Sequence, residues 1–85
     1  MTSAEEIEAA IIGLLAQRAA GGTACPSEAA RAVFGDEFRE HMGEVRAVAF
    51  ALADRKAIAV TQRGEVVDGR TARGPVRLRL AQASK

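Results

Sequence analysis

The chain has 85 residues, 48% apolar and 27% charged, with a net charge of +1 at neutral pH. A chain of this length supports one small domain with a thin core, and its nearly balanced charges exclude a disordered acidic or basic tail. No apolar run approaches the roughly 18 residues of a membrane span. The acidic start "MTSAEEIEAA" lacks the pattern of a signal peptide, and the single cysteine, Cys25, cannot close an internal disulfide. The expectation is therefore a cytoplasmic protein with one domain over residues 3–80 and a frayed tail at 81–85.

The neutral total hides an asymmetry. Residues 1–30 carry Glu5, Glu6, Glu8 and Glu28 against Arg18, a net of −3. Residues 31–56 balance, with five charges of each sign. Residues 57–85 carry Arg63, Arg70, Arg73, Arg77, Arg79 and Lys85 against Glu65 and Asp68, a net of +4. A basic last third points to a local basic surface.

Thr2 or Ser3 can cap a first helix, and Glu5 and Glu6 favour its positive N-terminal end. Ile7, Ile11, Leu14 and Leu15 form one apolar stripe, and Gly21-Gly22 provides a stop. "CPSEAARAVFG" gives a second helix that starts at Pro26-Ser27, turns Ala30, Val33 and Phe34 to the core and stops at Gly35. A third helix is expected from Glu37 to Arg55, because Phe38, Met42, Val45, Ala49 and Leu52 are spaced as one stripe. After Lys56 the period changes to two. Ile58 and Val60 alternate with Ala59 and Thr61, Arg63-Gly64 is a natural two-residue hairpin loop, and that loop sets Val60 opposite Val67. Asp68-Gly69 marks another turn, and "PVRLRL" sets Val76, Leu78 and Leu80 on one side against Arg77 and Arg79. Three helices followed by a hairpin is the order of a winged helix, an α+β fold that is mostly helical.

"CPSEAARAVFG", "VRAVAFALADRKAIAVTQRGEVVD" and "ARGPVRLRL" together resemble a bacterial family of small proteins, domain of unknown function family 3253, over about residues 7 to 80. The family is similar to winged helices, so the resemblance implies that fold, and it implies no established activity. Related chains carry tryptophan where Phe38 stands and glycine where Lys56 stands. A glycine there implies a left-handed helix end, which lysine adopts at a cost of about 1 kcal/mol.

No cluster specifies a reaction, so an enzyme is not expected, nor is a cofactor or small-molecule substrate. Cys25 and His41 are too few for a zinc site. Cys25 reads as a small apolar residue at a helix start, and His41 as a half-buried, hydrogen-bonded side chain. Asp36, Glu37, Glu40 and Glu44 read as a solvated helix start.

Two functional readings remain, both non-enzymatic. The favoured one is a protein-interaction or self-association module. It rests on Phe50, which falls off the core stripe and has no evident partner, unless "PVRLRL" folds over it or pairs with a partner's strand. The alternative is weak DNA or RNA binding through the third helix and the wing. There Arg39, Gly43, Arg46 and Phe50 fall in one line opposite the apolar stripe. Arg63 stands at the hairpin tip, with Arg70, Arg73, Arg77 and Arg79 behind it. The four carboxylates at the start of the third helix oppose that alternative.

Overall fold

The computed structural model describes residues 4–18 and 22–81. The elements run α1 (Ala4–Ala16), α2 (Pro26–Phe34), a 3-10 helix (Gly35–His41), α3 (Met42–Asp54), β1 (Ile58–Gln62), β2 (Glu65–Val66) and β3 (Arg77–Leu80). The fold is α+β, with a three-stranded antiparallel sheet in the order β2-β1-β3. None of its helices is long and apolar enough to cross a membrane among the described residues.

The acidic first turn and a buried face of Ile7, Ile11 and Leu15 make α1. It stops at Ala16, earlier than the glycine pair suggests. The Gln17 and Arg18 amides close it by bonding to the Leu14 and Leu15 carbonyls. Gly21 and the capping residues Thr2 and Ser3 lie outside the described residues, as does the tail from residue 82. α2 begins where Pro26 suits a first helical position, and the Glu28 carboxylate reaches back to accept the Cys25 amide at 3.1 Å,. Gly35 ends it with φ 62°, a conformation that suits glycine,.

The third helix departs from expectation. Residues 35–41 form a 3-10 helix, and α-helical geometry begins only at Met42. Phe38 and Met42 therefore do not belong to one α-helical stripe: Phe38 is buried, whereas Met42 is half-buried at the junction. Leu14, expected in the core, is likewise half-buried, and Leu15 takes the inner position. At its other end α3 closes as the resemblance implies. Lys56 has φ 64°, its amide bonds to the Ala53 carbonyl, and the Ala57 amide bonds to the Leu52 carbonyl, both at 3.0 Å. These are the paired bonds of a left-handed helix end.

The hairpin register matches the sequence reading. Gln62 pairs with Glu65 and Thr61 with Val66, and the Val67 amide bonds to the Val60 carbonyl at 2.9 Å. Arg63 and Gly64, with φ 54° and 84°, make the two-residue loop. "PVRLRL" does not cover Phe50. Its residues 77–80 pair with β1 on the side away from β2, from Ile58–Leu80 to Thr61–Arg77. A single bridge, Ala24 to Leu78, then ties the chain between α1 and α2 to the outer edge of β3. Ile7, Ile11, Val45, Leu52, Val60 and Leu78, drawn from helices and sheet alike, are the largest fully buried side chains. Each contributes about 1.5–3 kcal/mol by leaving water. With the core in place, residues 67–76 form an arm that runs over the surface from the hairpin to β3.

Candidate functional site

Phe50 lies on the solvent side of α3, and the fold supplies it with a partner. Its ring packs on Gly69 in the arm so closely that a Cβ there would stand 2.3 Å from a ring carbon. Any other residue at position 69 would push the ring from its seat. The supposition that Phe50 lacks a partner within the domain is therefore corrected, and the cause is a glycine in the Asp68-Gly69 turn. Asp68 builds that turn. Its carboxylate accepts the Arg70 amide at 3.0 Å, and its carbonyl accepts the Thr71 and Ala72 amides at 3.1 and 2.9 Å.

Arg70 completes the fastening. Its guanidinium meets the Asp54 carboxylate in a two-pronged bond of 3.1 and 2.9 Å, so the last turn of α3 holds the arm. That bond lowers the Asp54 pKa and raises that of Arg70, which keeps both charged,. Arg70 also stands 5.6 Å from the Phe50 ring centre, and Arg46, one turn earlier on α3, stands 5.5 Å from it. Two planar cations thus share one aromatic ring at the joint between helix and arm. The neighbouring face of α3 carries Gly43, Ala47 and Ala51, all exposed and small, so a partner surface can approach the helix closely.

Arg39 does not join this group. The 3-10 geometry of residues 35–41 breaks the expected line from Arg39 to Phe50. Arg39 instead stands 4.9 Å from the Phe38 ring centre, and Arg31 of α2 stands 4.6 Å from it. The carboxylates move with it. Asp36, Glu37 and Glu40 belong to the 3-10 helix and not to α3. The carboxylates within α3 are engaged, Glu44 with His41 at 2.8 Å and Asp54 with Arg70. His41 is half-buried as expected, and its ring stacks on Phe34 at 3.8 Å.

The remaining arginines named from the sequence gather at the far side of the arm. Arg63, Arg73 and Arg77 line one open cleft with Gln62, Glu65 and Cys25. Among the described residues, Arg63 and Arg73 have no ion-pair partner. Arg77 is directed inward: its Nε donates to Thr23 Oγ1 at 2.7 Å and a terminal nitrogen to Cys25 Sγ at 3.0 Å. Arg79 lies on the same side of β3, half-buried, with its Nε enclosed. The sequence reading missed Gln62, whose amide donates to the Arg73 and Pro75 carbonyls, the latter at 3.3 Å. A polar residue closing a hairpin carries no signal of a partner eleven positions on.

The chain matches, over residues 4–81, the family described as protein of unknown function (DUF3253). It belongs to that family. Family membership brings a fold-sized match and no chemistry, so the functional argument rests on the surface just described. A comparison with curated proteins finds no match.

Proposed function

We propose that this domain is a winged helix that binds nucleic acid through α3 and the arm, mainly by contacts to phosphates. The element order supports the fold reading. Three α-helices precede a small sheet, and the connection between β1 and β3 projects as a hairpin and arm in the position of a wing,. One observation carries the functional reading. The arm is fastened to the solvent side of α3 at Phe50, with Arg46 and Arg70 both over that ring. Helix and wing are therefore one rigid surface there, on which Arg70 is paired with Asp54 and Arg46 has no ion-pair partner among the described residues, beside the small exposed residues of α3. The carboxylates that opposed this reading weigh less, because Asp36, Glu37 and Glu40 stand on a separate 3-10 turn.

The interface is modest, and its affinity is set accordingly. A few phosphate contacts without base readout give dissociation constants on the order of 10⁻⁶ to 10⁻⁴ M at physiological salt. The test is an anisotropy titration at low salt with a short random duplex and a structured RNA, repeated with Arg46→Ala/Arg70→Ala. Binding that weakens with the double substitution supports the proposal. Absence of binding to both probes removes it.

Self-association, the reading that began from Phe50, keeps one independent observation. Leu80 is 38% exposed at the end of β3, where a second copy could add a strand,. Light scattering that rises with concentration and is abolished by Leu80→Ser would favour it. No enzymatic role is proposed.

A further inference from the structure

We infer that the cleft between the hairpin loop and the arm is a preorganised phosphate site, and that Gln62 is the residue that organises it. The inference rests on the nucleic-acid reading and deepens it, by naming the group bound and the residue that shapes the site.

Each wall of the cleft is held by a different device. Arg63 stands on a two-residue loop in which it adopts φ 54°, a left-handed conformation that favours asparagine or glycine,. An arginine kept there at a conformational cost suggests that its side chain is used. Arg77 is fixed by Thr23 and Cys25 on the chain before α2. Arg73 sits on the arm beyond Arg70, where the fastening to α3 does not reach. Gln62 holds that stretch: one side-chain amide donates to the carbonyls of both Arg73 and Pro75, so the arm is drawn against the hairpin where it carries Arg73. Gly74, with φ 87°, lets the chain turn beneath that amide, and the nearest atom to a Cβ there would be the Gln62 nitrogen at 3.6 Å.

Arg63, Arg73 and the inward-turned Arg77 line, with one carboxylate, Glu65, a cleft of about 880 Å³, which is roomy for a phosphate and its substituents. Guanidinium forks match phosphate oxygens with paired hydrogen bonds, and Arg63 and Arg73 have no competing ion pair among the described residues,. The phosphate can belong to a nucleic-acid backbone or be a free phosphate, and the experiment separates these.

The experiment follows backbone amide shifts of the full chain at low salt during titration with inorganic phosphate and, separately, with a short DNA duplex. Both probes are expected to shift Gln62, Arg63, Arg73 and Gly74 saturably, with the duplex also shifting Arg46 and Phe50. Shifts with phosphate but no duplex binding would leave the cleft as a free-phosphate site and remove the nucleic-acid reading. Duplex binding that leaves these four residues unmoved would overturn the cleft and keep that reading. Gln62→Ala then tests organisation apart from charge. It should weaken duplex binding roughly two- to tenfold, the cost of ordering a side chain and its loop on binding, with no change in the slope of log affinity against log salt. Arg73→Ala should reduce that slope by about 0.9. Unchanged affinity in Gln62→Ala would overturn its positioning role.

Discussion

Two regions of this domain carry the same local group, a phenylalanine ring beneath two guanidiniums, and differ in what surrounds it. At one, Arg31 and Arg39 cover Phe38, which is buried among the core residues. At the other, Arg46 and Arg70 cover Phe50, which is half-buried and holds the arm by Gly69. Around the first stand Asp36, Glu37 and Glu40, so its positive field is cancelled nearby. Near the second, Glu44 is engaged with His41 and Asp54 pairs with Arg70 itself, while Arg63 and Arg73 lie in the cleft on the far side of the arm. The difference teaches that stacked arginines are not in themselves a binding surface. The Phe38 group seals a core edge with the stems of two long side chains, whereas the Phe50 group joins α3 to the arm, with Arg70 held by Asp54 and Arg46 outside any ion pair among the described residues,.

The contrast is sharpest on truncating the rings. Phe38→Ala should destabilise the domain by about 3–5 kcal/mol, as for a core phenylalanine. That loss can unfold a domain of this size. Phe50→Ala should cost less, about 2–3 kcal/mol, because part of its surface is already in water,. Chemical denaturation of both variants checks the ranking, and an equal loss would make Phe50 a core residue. A comparable effect, about 1–3 kcal/mol, is expected from Gly69→Ala, which forces the Phe50 ring aside,. Hydrogen exchange should then rise in the arm while α1 stays protected. Smaller still, and of opposite sign, is Lys56→Gly, expected to stabilise by about 0.5–1 kcal/mol by relieving a left-handed lysine. A loss of stability there would mean that the Lys56 side chain contributes more than its backbone costs.

The smallest effect is that of acid. The Asp54 carboxyl is held below its ordinary pKa of 3.8 by its bond from Arg70. The Glu28 carboxyl is held below 4.5, chiefly by the Cys25 amide and then by Arg18. For a lowered carboxyl pKa the stabilisation is present above the ordinary value and is lost as pH falls through the folded one. Acid titration should therefore release the arm from α3 and loosen the start of α2 only below those values. Proton-linked shifts at Arg70 that begin near neutrality would contradict the role given to Asp54.

Legibility in the sequence followed the reach of each signal. The α2 boundaries, the Arg63-Gly64 loop and the Val60–Val67 register rest on residues adjacent in sequence, and they were readable. Lys56 was readable only through the family resemblance. The 3-10 stretch was not readable, because Phe38, Met42 and Val45 also satisfy an α-helical spacing; which helix forms depends on packing against α2. The Ala24–Leu78 bridge involves one residue on each side and so has no period to detect. Helical spacing singles out Arg46, the hairpin loop Arg63 and charge Arg73, but their arrangement depends on Gly69, Arg70 and Gln62. Those residues act across ten to twenty positions and look ordinary where they stand.

On the proposed reading, the Phe50 side binds nucleic acid and the Phe38 side does not. The most direct measurement is the slope of log affinity against log salt for a short duplex, compared between Arg46→Ala/Arg63→Ala and Arg31→Ala/Arg39→Ala. Both pairs remove the same charge, so nonspecific attraction falls equally. The account expects the first pair to lower the slope by nearly 2, about 0.9 for each lost phosphate contact, and the second to leave it within experimental error. Equal changes in both, or a larger change in the second, would contradict it.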